Sequence, residues 1–463
     1  MQYISTRGGA PRLDFEAAML AGLARDGGLY VPETWPRLSP GEIAALAGLP
    51  YEEVALRVMH PFMGDSFAED ELRGIITRAY SGFDHAARVP LVQVGPNDWL
   101  LELFHGPTLA FKDVAMQLIG QLFEASLKRS GRRITIVGAT SGDTGSAAIE
   151  AFRGREGVEV FILFPAGRVS DVQRRQMTTP TEANVHALAI DGDFDDAQAR
   201  LKDLFNDHAF RDAVGLAGVN SINWARVLAQ TVYYFTAAVA LGAPHRPVGF
   251  SVPTGNFGDV FAGYVAKRMG LPIDRLVIAT NQNDILHRTL ASGEHRRAKV
   301  LPSISPSMDI QVSSNFERLL FDLYDREGAA VAALMGELGA GGFALSQGAL
   351  GRLRMEFDSV SASEEETRAA IAATWRETGE VVCPHTAVGI HAARVRRGDP
   401  AVPMVVLATA HPAKFPDAVE AACGIRPELP PRLADLMTRP ERVMRVPNDL
   451  AALKDVIGAE VVR

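Results

Sequence analysis

From about residue 89 onward the apolar positions alternate between two rhythms. Short unbroken apolar runs predict strands at 91–94, 99–101, 134–137, 158–164, 187–190, 248–252, 276–280 and 404–408. Between them, apolar residues recur three to four apart and predict helices. One such helix follows Lys112: Val114, Leu118, Ile119, Leu122, Phe123 and Leu127 lead to a glycine stop at Gly131. Others are predicted over 147–152, from near Ser170, over 195–206, 222–241 and 259–269, and then over 315–333, 347–357 and 363–378. Strands alternating with helices predict an α/β fold with parallel sheets covered on both faces. Such folds bind ligands at the carboxyl ends of their strands. Residues 1–92 have a different rhythm. Helical periodicity at 13–23 and 69–80, an extended stretch at 29–32 and a capped start at Ser39-Pro40-Gly41-Glu42 predict a separate, mainly helical domain. It carries no catalytic constellation of its own.

Composition narrows the class. The 463 residues are 47% hydrophobic and 22% charged, which points to a soluble globular chain. The formal charge of -8, with no basic run interleaved with aromatics, argues against a nucleic-acid partner. No apolar run reaches membrane-spanning length, so no membrane partner is expected. Two cysteines, Cys383 and Cys423, cannot build a disulfide framework. The opening residues lack a signal-peptide pattern, and the expected location is cytoplasmic.

Chemistry concentrates in loops at strand and helix ends. Lys112 lies within a turn of a helix N-terminus, flanked by Leu109, Ala110 and Phe111, after turn residues Gly106-Pro107-Thr108. The helix dipole and the apolar neighbours both disfavour its ammonium form. It is either a solvated rim lysine or a nucleophilic amine suited to a Schiff base. Gly255-Asn256-Phe257-Gly258-Asp259 follows a strand and opens a helix, so it is either a tight turn or a lysine-free phosphate cup. Thr140-Ser141-Gly142-Asp143-Thr144-Gly145 has the same placement and reads as a capping cluster or a carboxylate site. Thr409 ends the last core strand, where a hydroxyl can meet a ring nitrogen or simply terminate the strand. Gly339-Ala340-Gly341-Gly342 follows no clear strand and reads as a turn. Cys383-Pro384-His385 lacks a second ligand pair for a metal, so it reads as a loop and no metal is expected. An activated lysine, a phosphate cup and a carboxylate cup on a parallel-sheet scaffold together suit pyridoxal 5'-phosphate.

The motif His105-Gly106-Pro107-Thr108-Leu109-Ala110-Phe111-Lys112-Asp113 resembles that of threonine synthases of the bacterial and fungal type. So do the stretches at 1–32, 140–147, 165–179, 220–234, 255–259 and 409–415, in the family's order over nearly the whole chain. The resemblance implies fold type II of pyridoxal-phosphate enzymes (tryptophan synthase β-like). Two parallel-sheet subdomains would then form a catalytic region at 93–425, the smaller one at about 130–215, with an extension at 426–463 packed on it. It implies that Lys112 carries the cofactor as a Schiff base. Gly255, Asn256, Phe257, Gly258 and Asp259 would form its phosphate loop, and Thr409 would face its pyridine nitrogen. Ser141, Gly142, Asp143 and Thr144 would lie beside the substrate carboxylate and the cofactor's ring hydroxyl. The implied reaction takes O-phospho-L-homoserine and water to L-threonine and phosphate, the last step of threonine biosynthesis, by γ-elimination and β-addition. A second anion site is then required for the substrate phosphate. Arg226 with Asn223, and Asn315 with Arg318, are the candidates, against packing contacts as their alternative. Cys383 departs from the family, where many members carry Asp. A phospholyase on the same scaffold, giving a 2-oxo acid and ammonia, and a catalytically silent cofactor-binding protein are the competing readings. A monomer or homodimer is expected.

Overall fold

The computed structural model describes residues 1–461 apart from 141, 168 and 193. The expectation for Ser141 therefore lies outside the described residues. Two parallel sheets form the frame. The larger runs in the order Phe357–Ser361, Ile273–Thr280, Val248–Pro253, Met404–Ala408, Asp98–Glu102, Leu91–Gln93, with only the last pair antiparallel. The smaller runs Met444–Val446, Val185–Ile190, Val158–Pro165, Ile134–Ala139, Leu216–Ala217, all parallel. The central strands Val248–Pro253 and Met404–Ala408 are buried at every position, as strands covered on both faces must be.

The N-terminal stretch contributes a two-stranded ribbon, Tyr3–Ser5 with Tyr30–Pro32, and helices that include Tyr51–Met63 and Glu69–Tyr80. These helices pack on Trp224–Ala240 and Lys112–Ser130, and one apolar core runs from Tyr3 through Trp224 to Leu407. The tail works as a strap. Its strand Met444–Val446 extends the smaller sheet, and Arg432 donates to Gly106 O at 2.6 Å, next to the Lys112 turn.

Three local readings change. The apolar rhythm over 315–333 is two helices, Phe316–Leu323 and Gly328–Gly339, broken where Asp325 and Arg326 take positive φ. The pattern at 347–357 ends in an edge strand, Phe357–Ser361, because hydrogen bonding to the neighbouring strand outweighs helical periodicity there. Cys383-Pro384-His385 is not a loop. Cys383 caps the helix Pro384–Val395, and Pro384 sits at its first position, where a missing N–H costs nothing.

Candidate active site

The turn before Lys112 is shaped by Asp113. Its carboxylate accepts from Thr108 N at 2.8 Å and from Thr108 Oγ1 at 2.7 Å, folding the loop back over the helix start. Gly106 permits this, because a Cβ there would lie 2.4 Å from Asp113 Cβ. The loop is then stitched to the end of the last core strand. Phe111 N donates to Thr409 O at 2.8 Å and His411 N to Leu109 O at 3.0 Å. Lys112 and Thr409, nearly three hundred residues apart, thereby face one buried cavity.

Lys112 is 9% exposed. Burial lowers its pKa, with Arg226 and Lys414 acting in the same direction and Asp143 opposing them. The direction is the expected one, with desolvation, anticipated from the apolar neighbours, as its largest cause and neighbouring cations, which the sequence did not reveal, adding to it. Asp143, at the start of the helix Asp143–Phe152, places Oδ2 3.6 Å from Lys112 Nζ and Oδ1 2.9 Å from Lys414 Nζ. Gln173 Nε2 also donates to it at 2.9 Å. Although burial alone would raise its pKa, the two lysines hold this carboxyl far below the usual range.

The loop after Val248–Pro253 keeps its carbonyls turned away from the cavity. Ser313 Oγ donates to Gly255 O at 2.7 Å, and Asn315 donates to Asn256 O through N and Nδ2 at 3.0 and 3.1 Å. Phe257 takes φ +64°, an unfavourable conformation for a bulky residue, and is held there by packing on Phe316 and Phe357. Gly258 then opens the helix, whose first-turn N–H groups have no intrahelical acceptor. Gly255 passes close to the neighbouring turn, and a Cβ there would come 3.0 Å from Ser307 O, so that carbonyl would have to give way by a few tenths of an ångström.

Asp259 closes this loop. Its Oδ1 accepts from Tyr233 Oη and, at 3.0 Å, from Tyr234 Oη, while Oδ2 has no partner. Burial raises its pKa to about 7, against the two tyrosine hydroxyls. A carboxyl raised in the folded state contributes stability that is full below its unfolded pKa and is lost as pH rises through the folded value. Asp259→Asn keeps the acceptor for both tyrosines and removes the titration. In cofactor-free protein, the thermal midpoint of Asp259→Asn should exceed the parent's by a margin that opens as pH rises to about 7. A constant margin across that range would contradict it.

The remaining candidates divide. Arg226 and Thr144 line the cavity with Lys112, Asp143 and Thr409. Arg226 Nε has no partner, and among the described residues its hydrogen bond is a long one from Nη1 to Val219 O at 3.4 Å. Asn223, expected beside Arg226 on a phosphate, instead caps the helix Trp224–Ala240 and donates to Met19 O at 2.8 Å. Asn315 is occupied by Asn256 O and by Ser221 O. Arg318 is consumed by Tyr30 O, Ile222 O and Asn315. Gly142, at φ +134°, packs against Gln173, which a Cβ would meet at 2.3 Å. The Thr140 hydroxyl accepts from Gly142 N and Gly145 N, both at 2.9 Å, so part of the expected carboxylate cup is spent on the loop itself.

Two site residues escaped the sequence reading. His385 is buried on the cavity wall, accepts from Ser307 N at 3.2 Å through Nε2, and leaves Nδ1 unpaired. Lys414 is fully buried beside Asp143. The available signal was a lysine set among Pro412, Ala413 and Phe415 directly after a strand end. Among the described residues no cluster of metal-ligating side chains forms, and no helix is long and apolar enough to cross a membrane.

Buried polar atoms are normally paired. Here Arg226 Nε, Asp259 Oδ2 and His385 Nδ1 are unpaired on residues that line one cavity, alongside a lysine amine and a helix start rich in free N–H groups. That donor set fits pyridoxal phosphate: an amine for its aldehyde, N–H groups and a dipole for its phosphate, and a hydroxyl for its ring nitrogen.

Known proteins agree with this geometry. Residues 2–80 match the family model for the threonine synthase N terminus, 87–337 that of pyridoxal-phosphate dependent enzymes, and 386–457 that of the threonine synthase C-terminal region. The chain is 55% identical to a threonine synthase of Pseudomonas aeruginosa over 99% of its own length and 98% of that protein's. The crystal structure of a pyridoxal-phosphate-bound threonine synthase from Brucella melitensis superposes with a TM-score of 0.97 at 55% identity, covering 100% of both chains. The yeast threonine synthase structure superposes at 0.94 with 40% identity, over 100% of this chain and 99% of that one.

Proposed function

The chain belongs to the threonine synthase family of pyridoxal-phosphate-dependent enzymes, and from that premise we propose how its residues turn O-phospho-L-homoserine and water into L-threonine and phosphate. The observation that carries the reading is the convergence of Lys112, Thr409, the 255–259 loop and Arg226, whose Nε has no partner, on one buried cavity. Bound cofactor supplies an electron sink for negative charge developing on the substrate. Lys112 would bear it, the N–H groups at 255–258 would hold its phosphate, and Thr409 would offer its ring nitrogen a hydroxyl, where a carboxylate would hold a proton. Arg226 receives the substrate's phosphate dianion, which a buried guanidinium suits. With Nζ free, Lys112 would remove a substrate proton and return it, and the lowering of its pKa by burial favours the free amine. Asp143, 3.6 Å away, steadies the ammonium that forms. Thr144, which lines the cavity with Asp143, would receive the substrate carboxylate. The same reading makes the protein a cytoplasmic enzyme, monomeric or homodimeric, with no nucleic-acid or membrane partner; light scattering decides between the two assembly states.

The test is a product balance. Purified protein is given O-phospho-L-homoserine, and phosphate, threonine and 2-oxobutyrate are quantified together. Equal phosphate and threonine is the expected result. Phosphate accompanied by 2-oxobutyrate would make the protein a phospholyase, and cofactor binding without phosphate release would refute the substrate.

A further inference from the structure

Lys414 ends the turn Pro412–Lys414, just beyond the strand end that carries Thr409. It is fully buried and does not line the cavity. An ammonium has three N–H donors. Here they reach Thr108 O at 2.8 Å, Gln176 Oε1 at 3.0 Å and Asp143 Oδ1 at 2.9 Å. Thr108 belongs to the turn before Lys112. Gln176 and Asp143 belong to helices packed on the smaller sheet. Every donor is therefore taken, and none is left for a ligand.

Asp143 stands between two lysines, and one carboxylate cannot neutralise both. Lys414 is the nearer, at 2.9 Å against 3.6 Å for Lys112. Gln173 at 2.9 Å and Ser307 Oγ at 3.3 Å hold the carboxylate in place from other sides. We propose that Lys414 is a positioning residue: it fixes Asp143 toward the cavity and takes up its charge, so that Lys112 stands beside it as a free amine. Lys112 also faces Arg226, which opposes a charge on it, as well as Asp259 and His385. Lys414 faces Asp113 and His411 besides Asp143. The depression of the Lys112 pKa has burial as its main cause, followed by Arg226 and Lys414 against Asp143, and agrees with this division of charge.

The inference rests on Lys112 being the cofactor-bearing amine, and the two can be tested apart. Borohydride fixation of cofactor to Lys112 in the parent checks the assignment alone. For Lys414, the full chain freed of cofactor is labelled with acetic anhydride over a pH series, and Lys112 acetylation is read by mass spectrometry. In Lys414→Met a like charge is gone and Asp143 is released to Lys112. The midpoint of Lys112 labelling should rise by about one pH unit or more, leaving roughly tenfold less free amine at neutral pH. Lys414→Arg, which keeps the charge, should hold the midpoint closer to the parent's. Lys414→Gln retains a donor for Thr108 O and serves as the second neutral variant should Lys414→Met not fold. An unchanged midpoint in a folded neutral variant would reduce Lys414 to a tie between segments and overturn the proposal.

Discussion

Lys112→Ala is expected to abolish threonine formation while leaving the fold intact. Two losses coincide at one nitrogen. The cofactor loses its covalent attachment, and the substrate loses the base that takes its proton. Loss of a positioned general base alone costs ~10²–10⁴-fold in rate, and the missing attachment adds to it. The fold should survive because Asp143 keeps Lys414, Gln173 and Ser307 as partners when Lys112 is gone. Burial disfavours a charge on Lys112, so removing its side chain takes away no favourable buried charge. The measurement pairs phosphate release with the mass of the borohydride-reduced protein. The parent should gain the cofactor's mass and the variant should not, and with both freed of cofactor the variant's thermal midpoint should be no lower than the parent's. Residual turnover within tenfold of the parent would remove Lys112 from the chemistry.

Arg226→Met should move activity and stability in opposite directions. Arg226 is buried, forms no ion pair among the described residues, and has its pKa lowered to about 10 by burial. A buried cation without a counter-ion burdens the folded state, and a well-packed apolar replacement of similar length relieves it. The variant's thermal midpoint should therefore rise. For a base whose folded pKa is lowered, the cost is present wherever the group is charged. Arg226 stays charged below about 10, so the gain should be constant across roughly pH 6–9. Activity should fall, because among the described residues that line the cavity Arg226 is the cation besides Lys112, and it would meet the substrate phosphate. Removing one partner of a buried charged pair costs about 2–5 kcal/mol, equivalent to roughly 30- to 5,000-fold in kcat/KM. A packing residue would lose both stability and activity, whereas a bystander would lose neither. Unchanged kcat/KM for O-phospho-L-homoserine would refute the role.

Much of this molecule is determined within short windows of sequence. The central strands at 248–252 and 404–408 are legible because strands buried on both faces are apolar at every position. The Lys112 helix is legible from its periodicity and its stop at Gly131, and the 255–259 loop from its glycines between strand and helix. The edge strand Phe357–Ser361 is not, because a ladder to a neighbour far along the chain overrode its local pattern. Nor is the helix Pro384–Val395, whose cap is a cysteine rather than a favoured Ser, Thr, Asp or Asn.

The site divides in the same way. That Lys112, Thr409 and the 255–259 loop are candidates for one cofactor site is legible from the motifs taken together, although each alone also fits a structural role. Which polar residues remain free for a ligand is decided in three dimensions. Asn223, Asn315 and Arg318 have the right chemistry for a phosphate, yet Met19 O, Asn256 O and Tyr30 O consume them. Lys414 looks like an ordinary lysine in the sequence, and only the meeting of Thr108, Gln176 and Asp143 around it makes it part of the site. Residue type depends on the local chain, whereas burial and hydrogen-bond satisfaction depend on segments hundreds of residues away.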